Sequence, residues 1–225
     1  MLFLVLGKGK TGSLVTQIAR ERGHGVRVLD AAENHHASSI TAPALAGVDV
    51  VIDFTTSEAA VANMRAVLAL GGRIVVGTTG WYAQLNEMKA LAIRREAGLL
   101  YGTNFSIGVQ KLFRLTAELG KLEGYQFSIS ETHHESKLDA PSGTAITLRQ
   151  IVQTAQPGAT VEIASHRVGD ASGEHIVSAV GPDDMLEIRH DAKDRRGFAL
   201  GAVRAAEWLA QKSGVYDFRE IFDQL

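Results

Sequence analysis

The chain has 225 residues, enough to bury one large core or two smaller ones. It is 45% hydrophobic and 21% charged, the composition of an ordinary soluble globular protein. A formal net charge of -2 argues against a nucleic-acid coat or an anionic-membrane binder, and the lack of cysteine excludes disulfides, thiolate nucleophiles and Cys-based metal sites.

LFLVL at 2–6 reads as a buried strand ended by glycine. The run is too short for a membrane span, and no basic region precedes it as in a signal peptide, so a cytoplasmic protein without a membrane partner is expected. Residues 12–22 suit a helix with Leu14, Val15, Ile18 and Ala19 on one face. Strands are predicted at 26–29, 48–54, 73–77 and 98–102, with helices at 58–70 and 81–97 between them. Strands alternating with helices imply a parallel sheet covered on both faces.

The pattern changes after a helix near 107–120. Stretches 125–132, 160–168, 174–181 and 184–191 alternate apolar and polar residues, as in a mostly antiparallel or mixed sheet with one covered face. Leu186, Ile188 and His190 share one side of the last of these. A helix at 197–212 is expected to bury Phe198, Ala202, Ala205 and Leu209. The fold class is therefore α/β: a doubly wound dinucleotide-binding type of domain followed by an α+β domain.

VLGKGKTGS at 5–13 fits two phosphate-binding loops. A P-loop needs glycine five positions before Gly9, and Leu4 stands there inside the strand. The G-x-G-x-x-G reading fits better. Gly7 permits the turn, Gly9 leaves room for a pyrophosphate, and Gly12 lets the helix pack close to the strand. The helix start offers free N–H groups to phosphate. Asp30 ends the second strand, where a carboxylate binds ribose hydroxyls. Lys8 and Lys10 are expected to face the pyrophosphate, with Thr11 beside them. The loop alone leaves open a glycine turn that binds nothing.

ETHHESKLDAPSGTA at 131–145 ends a strand and starts a helix, with Ser142 or Thr144 as its cap. His133, His134 and Lys137 stand beside that start, giving a basic pocket for an anionic substrate that exchanges protons. Zinc on His133, His134 and Asp139 is disfavoured. Neighbouring strand residues face opposite ways, and no cysteine or third histidine lies nearby in the sequence. No metal is expected. Ser142 lacks the G-x-S-x-G elbow of a hydrolase nucleophile.

This stretch closely resembles the signature of the 4-hydroxy-tetrahydrodipicolinate reductase (dihydrodipicolinate reductase) family. DFTTSEA at 53–59, GTTG at 77–80, NFSIGV at 104–109, RVGDASGEH at 167–175 and GAVRAAEWL at 201–209 resemble the same family in order. The first loop is one residue shorter than the family's G-x-x-G-[RK]-x-G, and the segment from Asp30 to Val48 is also short.

The resemblance implies a Rossmann domain at 1–104 completed by the tail 205–225, and a substrate and oligomerisation domain at 105–204, assembled as a homotetramer. It implies His133 as catalytic acid/base and Lys137 as proton donor. It places His134, Gly143 and Thr144 on a substrate carboxylate. It places Gly77, Thr78, Thr79, Gly102, Thr103, Asn104 and Phe105 at the nicotinamide side of the cofactor. The implied reaction is NAD(P)H-dependent reduction of a cyclic dicarboxylate, with loss of water, in lysine and diaminopimelate biosynthesis. NADH is the expected cofactor, with NADPH accepted as well, because Asp30 would repel a 2′-phosphate and no arginine follows it. Rival readings are a reductase of another small carboxylate and a nicotinamide-sensing regulator, which would need no proton donor.

Overall fold

The computed structural model describes residues 1–225. Its elements are β1 (Leu2–Leu6), α1 (Lys10–Glu21), β2 (Gly25–Leu29), α2 (Ala42–Leu45), β3 (Val50–Asp53), α3 (Ser57–Ala69), β4 (Arg73–Val76), α4 (Leu85–Arg94) and β5 (Gly98–Tyr101). These continue with α5 (Ile107–Leu119), β6 (Gln126–His133), α6 (Gly143–Ala155), β7 (Val161–Arg167), β8 (Glu174–Val180) and β9 (Met185–Asp191). The last are α7 (Arg196–Leu209), β10 (Gly214–Asp217) and α8 (Phe218–Ile221). The chain divides into two compact units, Met1–Ile107 with Arg196–Leu225, and Gly108–Arg195.

The first unit holds a six-stranded sheet in the order β10-β5-β4-β3-β1-β2, with every pair parallel. Strand alternation sends Phe3, Val5 and Ile52 to one face, where Val15 and Ile18 of α1 and Ala202, Val203 and Leu209 of α7 cover them. Leu4, Leu6 and Val51 point to the other face, against Met64 and Leu68 of α3 and Met88 of α4. Burial on both faces explains why VVI reads as a continuous apolar run.

Several boundaries differ from expectation. Helix α1 starts at Lys10, so Gly12 lies inside its first turn. Helix α4 is shorter than predicted, because a 3₁₀ turn at Tyr82–Gln84 precedes it and Trp81 turns inward, donating from Nε1 to the Thr78 carbonyl at 2.8 Å. In α7 Ala202, Ala205 and Leu209 are buried as expected, together with Ala199, Val203 and Ala206, but Phe198 is only half-buried. Small side chains suit a helix laid closely on a sheet; a phenylalanine ring does not.

The second unit is built on a four-stranded sheet in the order β7-β6-β8-β9. β6 pairs parallel with β7 and antiparallel with β8, and β8 pairs antiparallel with β9, so the sheet is mixed. Leu112 of α5 and Leu148 and Val152 of α6 cover Phe127, Ile129, Val177 and Ala179. β9 is one of the two edge strands, with β7 at the other edge. Ile188 reaches that core, but Leu186 is 44% exposed, so the row predicted to be covered is covered only in part.

Candidate cofactor and active sites

In the first unit, Gly9 caps α1 without any side-chain hydrogen bond, leaving the first-turn N–H groups to a ligand. A Cβ on Gly12 would stand 2.1 Å from the Gly7 carbonyl oxygen, so only glycine lets the helix start this close to the turn. A Cβ on Gly9 would meet nothing within 4 Å, so the backbone there lies open. Gly9, Lys10, Thr11, Gly77, Thr78 and Thr79 line one cavity of about 320 Å³. The open glycine and the uncapped helix start fit the pyrophosphate of a nicotinamide dinucleotide.

Asp53 organises this cavity, a role the sequence reading missed. Its carboxylate is fully buried. Oδ1 accepts from Thr55 N at 3.0 Å, Thr55 Oγ1 at 2.7 Å and Thr78 Oγ1 at 2.7 Å, and Oδ2 accepts from Asn63 Nδ2 at 2.7 Å. Burial pushes the carboxyl above its usual range, while the bonds from Asn63, Thr78 and Thr55 oppose the shift. Thr55 and Thr78 belong to two different segments of the cavity wall, and Asp53 ties them together.

Lys8 is paired with two acids beside the loop. Its Nζ lies 3.0 Å from Asp30 Oδ2 and 3.1 Å from Glu33 Oε2. The amides of Ala32 and Glu33 both reach Asp30 Oδ1 at 2.9 Å. The Glu33 amide, then the Lys8 ammonium, hold the Asp30 carboxyl below its usual range. Gly102 and Thr103 line a separate cavity of about 190 Å³ with Tyr82, Asp217 and Arg219. Asn104 Oδ1 accepts from Ser106 N at 2.8 Å. The Phe105 ring is buried and sits 4.5 Å from the Phe218 ring, centroid to centroid. Phe105 is therefore a core side chain, and only its backbone is left to meet a cofactor.

In the second unit, strand period two places Ile129, Glu131 and His133 of β6 on the covered face. His133 ends the strand, and His134 begins the loop with Nδ1 2.8 Å from Ser136 Oγ, so the two histidines part as predicted. The Lys137 amide donates to the His134 carbonyl at 3.1 Å, and Lys137 Nζ pairs with Asp139 Oδ1 at 2.7 Å. Ser142 caps α6, its hydroxyl accepting from Ala145 N at 3.2 Å. The Gly143 and Thr144 amides fall in the first turn of α6, where a helix supplies no acceptor for them. Burial lowers the His133 pKa below its usual value. Glu131 opposes that shift, while Lys137 and Arg167 reinforce it.

A third histidine does lie nearby in space. Register pairs Glu131 with His175 across β6 and β8, and the His133 and His175 rings stand 5.1 Å apart. Ligand-type atoms of Glu131, His133 and His175 all lie within 4.8 Å of one another. The grounds for disfavouring a metal therefore change. Both Glu131 oxygens already accept from the Ser142 amide, and Arg167 stands 3.4 Å from Oε1, so a dication would compete with a fixed guanidinium.

The profile described as Dihydrodipicolinate reductase, N-terminus, matches residues 1–105, and its C-terminus counterpart matches residues 108–222. A 4-hydroxy-tetrahydrodipicolinate reductase of Christiangramia forsetii is 33% identical over 242 residues, covering 100% of this chain and 99% of that protein. One of Natronomonas pharaonis is 37% identical over 237 residues, covering 94% of this chain and 96% of that protein. The solved structure of dipicolinate-bound dihydrodipicolinate reductase from Paenisporosarcina sp. TG-14 shares the fold, with TM-score 0.83 at 23% identity over 98% of this chain and 99% of that chain.

Proposed function

The chain belongs to the dihydrodipicolinate reductase family, and on that premise we propose that it reduces 4-hydroxy-tetrahydrodipicolinate, with loss of water, by the residues described above. It is a nicotinamide-dependent oxidoreductase of lysine and diaminopimelate biosynthesis. When bound, the nicotinamide cofactor supplies hydride; the protein supplies position, charge and protons. His134 and the Gly143 and Thr144 amides hold a carboxylate of the ring. Lys137 delivers the proton that the enamine-like carbon requires, and His133 exchanges protons beside it. The observation that carries this assignment is the network around Glu131, which joins His133, Arg167 and the start of α6; Arg167 in turn reaches the Lys137 carbonyl at 3.3 Å. The deciding assay is cofactor oxidation with freshly generated substrate. Absence of turnover with either cofactor, from folded protein, would overturn the reading.

Cofactor choice is read from Asp30 and Lys8. Asp30 suits ribose hydroxyls and repels a 2′-phosphate, while Lys8 beside it offsets part of that repulsion. NADH is expected to be used at least as efficiently as NADPH, and Lys8→Ala to lower efficiency with NADPH more than with NADH. Comparing kcat/KM for both cofactors checks this; a tenfold or larger NADPH preference in wild type contradicts it.

A pocket holding two carboxylates should also take planar pyridine-2,6-dicarboxylate. Competitive inhibition against substrate is expected, weakened by added salt because part of the attraction is long-range. Lack of competition at millimolar concentration would count against the two-carboxylate site. No helix is long and apolar enough to cross a membrane; we place the enzyme in the cytoplasm, beside the nicotinamide pool its reaction draws on. The expected assembly is a homotetramer, which light scattering reporting a stable monomer would refute.

A further inference from the structure

Glu131 is a fully buried carboxylate that the proposed chemistry leaves without a task. Burying it costs several kcal/mol unless its lone pairs are used, and here they are. Oε1 and Oε2 accept from the Ser142 amide at 3.0 and 3.1 Å, and Arg167 Nη2 reaches Oε1 at 3.4 Å. Oε2 also lies 3.5 Å from His133 Nδ1 and 3.7 Å from His175 Nε2. His133 is 8% exposed, and its Nδ1 has no closer partner. The opposite edge of the ring faces Gly173, where a Cβ would come within 3.2 Å of Nε2. Glycine at φ +141° is thus the neighbour that leaves Nε2 room.

We propose that Glu131 is a positioning residue: it draws the Nδ1–H of His133 toward itself, leaves Nε2 as the proton-exchanging atom, and with the same carboxylate fixes the Ser142-capped start of α6. The inference rests on the reading of His133 as the acid/base. One anion thereby sets both the imidazole that moves a proton and the helix start that holds a carboxylate, so the two keep a constant relation within this unit. His175 shares Oε2 but does not compete for charge. Burial, with His133 adding to it, pushes the His175 pKa down to about 4, so it stays neutral, its Nε2 3.2 Å from Ser142 Oγ. The charged and titratable groups facing His133 are Glu131, Lys137, Arg167 and Asp139, and those facing His175 are His133, Glu131, His190 and Lys137.

The test has two arms. Ring-nitrogen NMR of the wild-type protein reports the neutral His133 tautomer; Nδ1–H is expected, and a dominant Nε2–H form overturns the proposal. Glu131→Gln keeps the side-chain volume and an acceptor for the Ser142 amide while removing the charge. It should lower kcat about 10- to 100-fold, less than loss of a positioned acid itself, with substrate KM within about threefold of wild type. The limb of the kcat/KM profile belonging to His133 should move to lower pH, because the anion that favours its imidazolium is gone. An unchanged kcat and profile overturns the proposal, as does a lowered Tm with the profile unmoved. Should Glu131→Gln not fold, the wild-type tautomer and Glu131→Asp, which withdraws the carboxylate by one methylene, still decide. Full activity of His133→Ala alongside an Nδ1–H tautomer would instead remove the acid/base reading while leaving the orientation by Glu131 standing.

Discussion

Lys137→Ala is expected to lower kcat by about two to four orders of magnitude, the range for losing a positioned proton donor. The loop that carries Lys137 is well tied. Its amide donates to the His134 carbonyl, and its own carbonyl accepts from Arg167 Nε at 3.3 Å, while Arg167 Nη2 also reaches the Asp139 carbonyl at 2.6 Å. Truncating the side chain breaks none of these backbone ties, so a loss of rate would report the ammonium and not a collapsed loop. The ammonium pairs with Asp139 at 2.7 Å, and that bond, before any other cause, holds the Asp139 carboxyl below its usual range. Asp139 is largely exposed, so a substrate carboxylate can replace it as partner at small cost. Cofactor affinity should be unchanged, since every residue lining the glycine-loop cavity belongs to the other unit. Steady-state kinetics at saturating substrate, with a fluorescence titration of the cofactor, separates the two effects. Near wild-type turnover would reduce Lys137 to an electrostatic role.

What the sequence made legible follows from local rules. The glycine turn, the strand-helix alternation and the Ser142 cap each depend on residues within a few positions of one another. What it hid depends on distance along the chain. His175 is 42 residues beyond His133, and only the antiparallel register of β6 with β8 sets it opposite Glu131. A signal for Glu131 was nevertheless present. In a strand alternating Ile129, Glu131, His133 against Ser128, Ser130, Thr132, the acid falls on the apolar side. A carboxylate there has to be partnered, and Ser142, Ser165 and Arg167 are among its partners. The ion pairs of Lys8 were hidden for a different reason. Its direction is set by Glu33, outside the glycine motif, together with Asp30. Phe105 lies in a segment assigned to the cofactor by resemblance, but an aromatic ring beside Phe218 is worth more to the core than to solvent.

Asp53→Ala should be the most destabilising single change in the first unit's polar interior. It would strand Asn63 Nδ2, take from the buried Thr78 hydroxyl its 2.7 Å acceptor while Oγ1 still accepts from Thr55 N, and remove an acceptor from Thr55 Oγ1. Each buried donor left without a partner costs about 1–3 kcal/mol, so a total of roughly 3–5 kcal/mol is expected. In a protein of this size that corresponds to a drop in Tm on the order of 10 °C. Cofactor binding should weaken as well, because Thr55 and Thr78 would then be joined only by the Thr55 amide donating to Thr78 Oγ1 at 2.8 Å, without the shared carboxylate. Asp53→Asn keeps an oxygen for the threonines and should be milder. It also isolates the charge. The folded-state pKa of Asp53 is raised, by burial first, so the native state binds the proton more tightly than the unfolded chain does. The stability this confers is complete below the unfolded pKa and is lost as pH rises through the folded one. Wild type should therefore gain stability relative to Asp53→Asn as the solution is acidified through that window. Taking the difference between the two proteins removes the acids whose pKa values are lowered, such as Glu131, which act in the opposite sense. Denaturant unfolding of both proteins across acidic to neutral pH reads this difference directly. A difference that stays flat, or that moves against wild type on acidification, would mean that the four hydrogen bonds outweigh burial and that Asp53 is an ordinary anion in the fold.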